Sequence, residues 1–134
     1  MTSGSINGPQ LSRMEQILDL LAERQRAITA NLANADTPGY KAVDVQFRDR
    51  LDEAMEGWRL VQTSPDHFES EFPDVASLEW APIPGLVEGA DGNNVELDRE
   101  LLAMTLNRLR FQMAVQGVSG HLRALRTAIR EGTS

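Results

Sequence analysis

The chain has no cysteine among its 134 residues, which excludes disulfides, thiolate metal ligands and cysteine nucleophiles together. Aromatic residues amount to 5%, and the apolar residues gather into two terminal helical patterns rather than many short segments. No run of 18 apolar residues occurs, so no membrane span is expected, and Met1 to Gln10 lacks the basic and apolar regions of a cleavable secretory signal. The two histidines, His67 and His121, have no carboxylate or second histidine at ligand spacing, which leaves a metal centre or a Ser-His-Asp arrangement without support. Asp91, Asn93 and Glu96 offer oxygens around Gly92 but do not follow calcium-loop spacing, so they read as turn chemistry. No glycine loop suited to phosphate is found, and acidic residues such as Glu69, Glu71 and Asp74 read as a solvated charge run. Neither a catalytic residue nor a cofactor is expected.

What charge there is lies unevenly. The formal net charge is −7; residues 52–100 carry thirteen acidic and two basic side chains, and residues 101–134 carry one and five. An acidic total without a basic stripe interleaved with aromatics argues against nucleic acid as a partner. A basic C-terminal segment beside an acidic middle suits like chains meeting, although a solvated surface explains it equally.

A length of 134 residues suits one small domain, and the expected fold class is mainly α, with long N- and C-terminal helices packing as a coiled coil. Leu11, Met14, Leu18, Leu21, Ile28 and Leu32 fall on an alternating three/four spacing with Gln25 as the one polar member, a seam that predicts a helix over 9–34. Val43, Phe47, Leu51 and Met55 recur every four residues, so a turn and a short helix over 44–57, capped by Asp44, are expected in segment 35–57. The middle, 58–94, holds four prolines with Gly85, Gly89 and Gly92, which forbids a long helix. Extended pieces near Trp58–Thr63 and Ser77–Ile83 are read either as a small hairpin or as an irregular acidic loop.

The strongest periodicity closes the chain, in segment 95–131. Leu97, Leu101, Met104, Arg108, Phe111, Val115, Val118, Leu122, Leu125 and Ile129 keep four/three spacing with nine of ten apolar, predicting a helix over 97–131 about 50 Å long at roughly 1.5 Å per residue. Asn93, Asn94 or Asp98 is the expected N-cap, and Gly132 suits the C-terminal end. A helix that long outruns the core this chain can build, so part of its seam needs helix one or neighbouring subunits. Gly117 and Gly120 lie three apart on one face, where close approach of another helix backbone would offset their helical cost.

Between the first helix and the middle stands Asn31-Leu32-Ala33-Asn34-Ala35-Asp36-Thr37-Pro38-Gly39-Tyr40-Lys41. Pro38 disfavours helix at Thr37 and Gly39 tolerates positive φ, so Asp36 to Tyr40 reads as a tight turn. This string, in this position and with a heptad helix at each end of the chain, resembles the N-terminal signature of the bacterial flagellar axial proteins, the rod, hook and hook-associated family. The short length without a large inserted domain resembles that family's proximal rod subunits, and Asp91-Gly92-Asn93-Asn94-Val95 running into Leu97-Asp98-Arg99-Glu100 is more similar to one of its two short members than to the other.

The resemblance implies a self-assembling structural subunit that transmits torque, not an enzyme. It implies uncleaved export from the cytoplasm through the flagellar type III apparatus into the rod, in the periplasmic space of the basal body. Its implied partners are other copies of itself, other rod proteins, the rod adaptor FliE and the basal-body membrane ring. Asn31, Asn34, Thr37, Pro38, Gly39 and Tyr40 would fix the bend after helix one, and the two apolar seams would carry assembly. The competing reading is a soluble helical adaptor or regulatory module that binds one partner helix.

Overall fold

The computed structural model describes residues 9–46 and 78–132. Four elements follow one another: helix α1 (Pro9–Ala33), strand β1 (Val43–Val45), strand β2 (Trp80–Pro82) and helix α2 (Leu97–Glu131). The mainly helical class and the bounds of both long helices agree with the periodicity of their apolar residues to within one residue.

Helices α1 and α2 run antiparallel. Asn31, near the end of α1, meets Glu100 at the start of α2, while Leu21 and Gln25 meet Asn107 further along. Ile17, Leu20, Leu21 and Ala27 of α1 form the core with Ala114 of α2 and Val45 of β1, and Leu18, Val43 and Leu78 pack against it. The sequence seam catches only part of this face. Met14, Leu21 and Ile28 are buried and Leu11, Leu18 and Leu32 are half-buried, but Ile17, Leu20, Ala27 and Asn31, which lie off the three/four series, are buried as well. The two strands close over one flank of α1, so its buried stripe is wider than a two-helix seam.

The short helix beginning at Asp44 gives way, in its described part, to strand β1; residues 47–57 lie outside the described residues. Asn31 takes both the N–H and the C=O of Val43, which holds that residue extended, and the alternation of Val43, Asp44 and Val45 suits a strand. Among the described residues Asp44 makes no capping bond: its Oδ2 meets Nη2 of Arg24 at 3.2 Å and its Oδ1 accepts from the N–H of Val45.

The second extended piece of the middle supplies β2, but its partner is β1, antiparallel, with Asp44 opposite Ala81. Residues 58–63, the other half of the expected hairpin, lie outside the described residues. Gln46 donates to Glu79 and Ile83 donates to Ala42, which places Val43 and Pro82 at a pair whose amides point away from the ladder. There a proline has no hydrogen bond to lose.

Helix α2 starts without a side-chain cap. Glu96 is the N-cap residue and makes no capping bond, because Asn93 and Asn94 are used elsewhere, as described below. At the other end the Gly132 N–H donates to the Ala128 carbonyl with the backbone still in the right-handed helical region. The close approach expected at Gly117 and Gly120 is not met within the chain at Gly120, where an added Cβ would find nothing within 4 Å.

Leu20 is fully buried and Leu102 is 60% exposed. Leu20→Ala is therefore expected to lower stability by about 2–5 kcal/mol, and Leu102→Ala by less than about 0.5 kcal/mol, both read from urea unfolding of the isolated chain.

Candidate assembly site: the Asn31 joint and the faces of α2

The last turn of α1 loosens before the chain reverses. Asn34 and Ala35 donate back to Asn31 and Leu32, and Thr37 donates to Asn34. The Tyr40 N–H then closes on the Thr37 carbonyl at 3.2 Å with Gly39 at φ +75, a type II turn with Pro38 in its first central position. Only the glycine accepts that φ without strain. Asn34 folds back, its Nδ2 donating to Ala30 and its Oδ1 accepting from the Thr37 hydroxyl.

Asn31 is the centre of the joint. It is 1% exposed, and its amide is saturated: Nδ2 donates to the Val43 carbonyl at 2.8 Å and to Glu100 Oε2 at 3.1 Å, while Oδ1 accepts from the Val43 N–H at 2.9 Å and from the Tyr40 hydroxyl at 3.3 Å. One side chain thus ties the end of α1 to β1, to the turn and to α2.

The loop before α2 is laced to the same turn. Gly39 donates to the Asp91 carbonyl and Asn94 to the Tyr40 carbonyl. Asn93 Nδ2 reaches the carbonyls of both Asn34 and Thr37, and Asn94 Oδ1 accepts from Ala42. Lys41 donates to the Gly92 carbonyl and pairs with Glu88. Gly92, at φ +79, sits with its missing Cβ 3.5 Å from Gly39 Cα, so two glycines meet where the strands of the joint cross.

Glu100, which enters the sequence reading only as the end of the string leading into α2 and with no role of its own, is 2% exposed. Burial raises its carboxyl above the ordinary glutamate value; the Asn31 hydrogen bond and the charges of Arg99 and Arg24 pull it down, and Asp44 adds to the rise. Burial, then the Glu100 charge, raises the Tyr40 phenol. A signal for Glu100 is its spacing: it and Asn107 are polar residues seven apart, on the row that carries Ala114 and His121.

That row is the one α2 turns to α1. Glu100, Asn107 and Ala114 are its buried residues and His121, seven further on, is half-buried. Of the seam read from sequence, Met104, Val118 and Leu125 are half-buried, while Leu97, Leu101, Phe111, Val115, Leu122 and Ile129 are exposed, as is Arg108. Leu102, Leu106, Leu109 and Met113 are exposed on a further face. Ten of the twelve large exposed hydrophobics among the described residues therefore belong to α2.

Among the described residues no group of histidine, aspartate and glutamate could hold a metal ion, and no helix is long and apolar enough to cross a membrane.

Asn31→Ala leaves the Glu100 carboxylate and both main-chain groups of Val43 without this partner, and is expected to destabilise the chain by about 2–3 kcal/mol in urea unfolding. The raised Glu100 carboxyl favours the folded state fully below the unfolded-state value, and that contribution is lost as pH rises through the folded value. Glu100→Gln, which keeps an acceptor for Asn31 without the charge, should gain on the wild type as pH rises from the ordinary glutamate value through the raised one, measured as the difference in urea midpoint; a difference that does not change with pH would remove the assignment.

Residues 18–41, the second half of α1 and the turn, match the family described as Flagella basal body rod protein. The flagellar basal body rod protein FlgB of Escherichia coli (strain K12) is 35% identical over 127 residues, covering 88% of this chain and 91% of that protein. FlgB of Bacillus subtilis (strain 168) is 32% identical over 123 residues, 91% and 94% of the two chains, and FlgB of Salmonella typhimurium is 34% identical over 129 residues, 88% and 91%. Of the two short rod members between which the residues leading into α2 choose, FlgB and FlgC, these relatives are FlgB. With identity above 30% over 88–91% of its length, the chain belongs to the FlgB family of flagellar basal body rod proteins.

Proposed function

We propose that this chain, by family a structural subunit of the proximal rod, assembles through the outward apolar rows of α2, with the Asn31–Tyr40 joint holding the helix pair at one angle for every copy. The observation that carries this reading is the exposure of Leu97, Leu101, Phe111, Val115, Leu122 and Ile129 on one 35-residue helix. Covering each such side chain is worth about 1.5–3 kcal/mol before the cost of ordering is subtracted, so repeated contacts along the helix favour a polymer strongly.

Its neighbours are further copies, other rod proteins, the adaptor FliE and the basal-body membrane ring, and it reaches the periplasmic rod through the flagellar type III apparatus. The role is mechanical: a joint whose polar groups are saturated within the chain resists bending as torque passes along the rod. Leu11, Met14, Leu18, Leu21, Ile28 and Leu32 serve the inner packing of the helix pair, and the exposed members of the α2 series serve contacts between subunits.

Val115 and Leu122 are 41% and 49% exposed, so Val115→Asp or Leu122→Asp leaves the isolated fold within about 0.5 kcal/mol of wild type. In an assembled rod the same charge is desolvated without a partner. Electron microscopy of basal bodies from a strain lacking the gene, complemented with either variant, should show rings without rods. Normal rods would remove α2 from the interface, and a discrete soluble dimer as the end state of the wild-type chain would favour the adaptor reading.

A further inference from the structure

Helix α2 turns inward a row that carries a carboxylate and an amide. The row that meets α1 is Glu100, Asn107, Ala114 and His121, whereas Leu101, Phe111, Val115 and Leu122 on the flank beside it are left exposed. Hydrophobic burial alone would turn the helix about its axis until a flank of this kind met Ile17, Leu20 and Leu21. Something other than apolar area therefore chooses the face, and it acts at two places: Glu100 on Asn31 at the joint, and Asn107 two helical turns further along.

At the second place the partners are specific. Gln25 is the one polar residue in the apolar three/four series of α1, and it stands opposite Asn107. Asn107 Nδ2 donates to Gln25 Oε1 and to the Leu21 carbonyl, both at 3.0 Å. Asn107 is 2% exposed and its Oδ1 has no hydrogen-bond partner among the described residues. A buried amide with one end unpaired is costly, so the pair adds little to stability, and paired polar residues in helix seams characteristically trade stability for a single arrangement.

We infer that Gln25 and Asn107 set the rotation of α2 on α1, holding the polar row inward so that the apolar rows stay available to other subunits. Only this last consequence rests on the assembly reading above; the rotation itself is a property of the isolated chain and is tested there. With the acceptor at position 25 removed, the buried Asn107 amide keeps only the Leu21 carbonyl, and turning it to solvent brings an apolar flank onto the core in its place.

The absence of cysteine from the chain allows single thiols to report the rotation. Ala114 is 5% exposed and its neighbour Val115 is 41% exposed, so fluorescein maleimide should label Val115→Cys faster than Ala114→Cys by about tenfold or more in the wild-type background. Adding Gln25→Leu should collapse or reverse that ratio by speeding Ala114→Cys and slowing Val115→Cys. Gln25→Glu, which keeps an acceptor for Asn107 Nδ2, should preserve it, and Gln25→Leu with Asn107→Leu, which removes the polar demand on both sides, should restore it. An unchanged ratio in Gln25→Leu overturns the inference. Fast labelling of both thiols also overturns it, because the pair would then hold α2 in place without choosing its face.

Discussion

The hydrogen bonds of the Asn31 side chain are the constraint on which the rest of the structure depends. A buried amide must find two donors' worth of acceptors and an acceptor's worth of donors, or its burial costs more than it gains. Asn31 meets that demand with the two main-chain groups of Val43, the Tyr40 hydroxyl and Glu100. Every one of these partners belongs to a different part of the chain's return path. The end of α1, the type II turn, β1 and the first turn of α2 can therefore adopt only one mutual arrangement, and the antiparallel course of the two helices follows from it.

Around this joint the chemistry is polar and closed, while away from it the chemistry is apolar and open. Asn34, Asn93 and Asn94 satisfy carbonyls and amides that the turn would otherwise bury without partners. Along α2, by contrast, large side chains face outward, and the inward row consists of a carboxylate, an amide, an alanine and a histidine. An ordinary two-helix protein does the reverse, burying leucine and exposing polar residues. The inversion makes physical sense on the proposed assembly, in which contacts within the chain are specific and modest and other copies cover the apolar rows of α2.

Much of this was legible in the residues. The three/four spacing located both long helices to within a residue, because helical periodicity is a local property of the backbone. The turn at Thr37 to Tyr40 was legible for the same reason, since a proline and a glycine at fixed positions leave few alternatives. Asp44 was misread because its surroundings satisfy two patterns at once: Val43, Phe47 and Leu51 fit a helix, and Val43-Asp44-Val45 fits a strand. What decided for strand over residues 43–45 was Asn31, twelve residues away. Asn93 and Asn94 were read as caps for the helix that follows, whereas their side chains reach across to the turn after α1, and no local rule weighs a capping bond against a tertiary one.

The sequence by itself determined where the helices lie, where the chain must turn, and that α2 carries more apolar surface than this chain can cover. The tertiary structure alone decided which way α2 faces. Its apolar residues ring most of the helix, so periodicity admits several faces of similar hydrophobicity. The choice among them rests on a few polar contacts, Glu100 with Asn31 and Asn107 with Gln25, whose partners are 69 and 82 residues apart in the chain and meet only once it has folded back on itself.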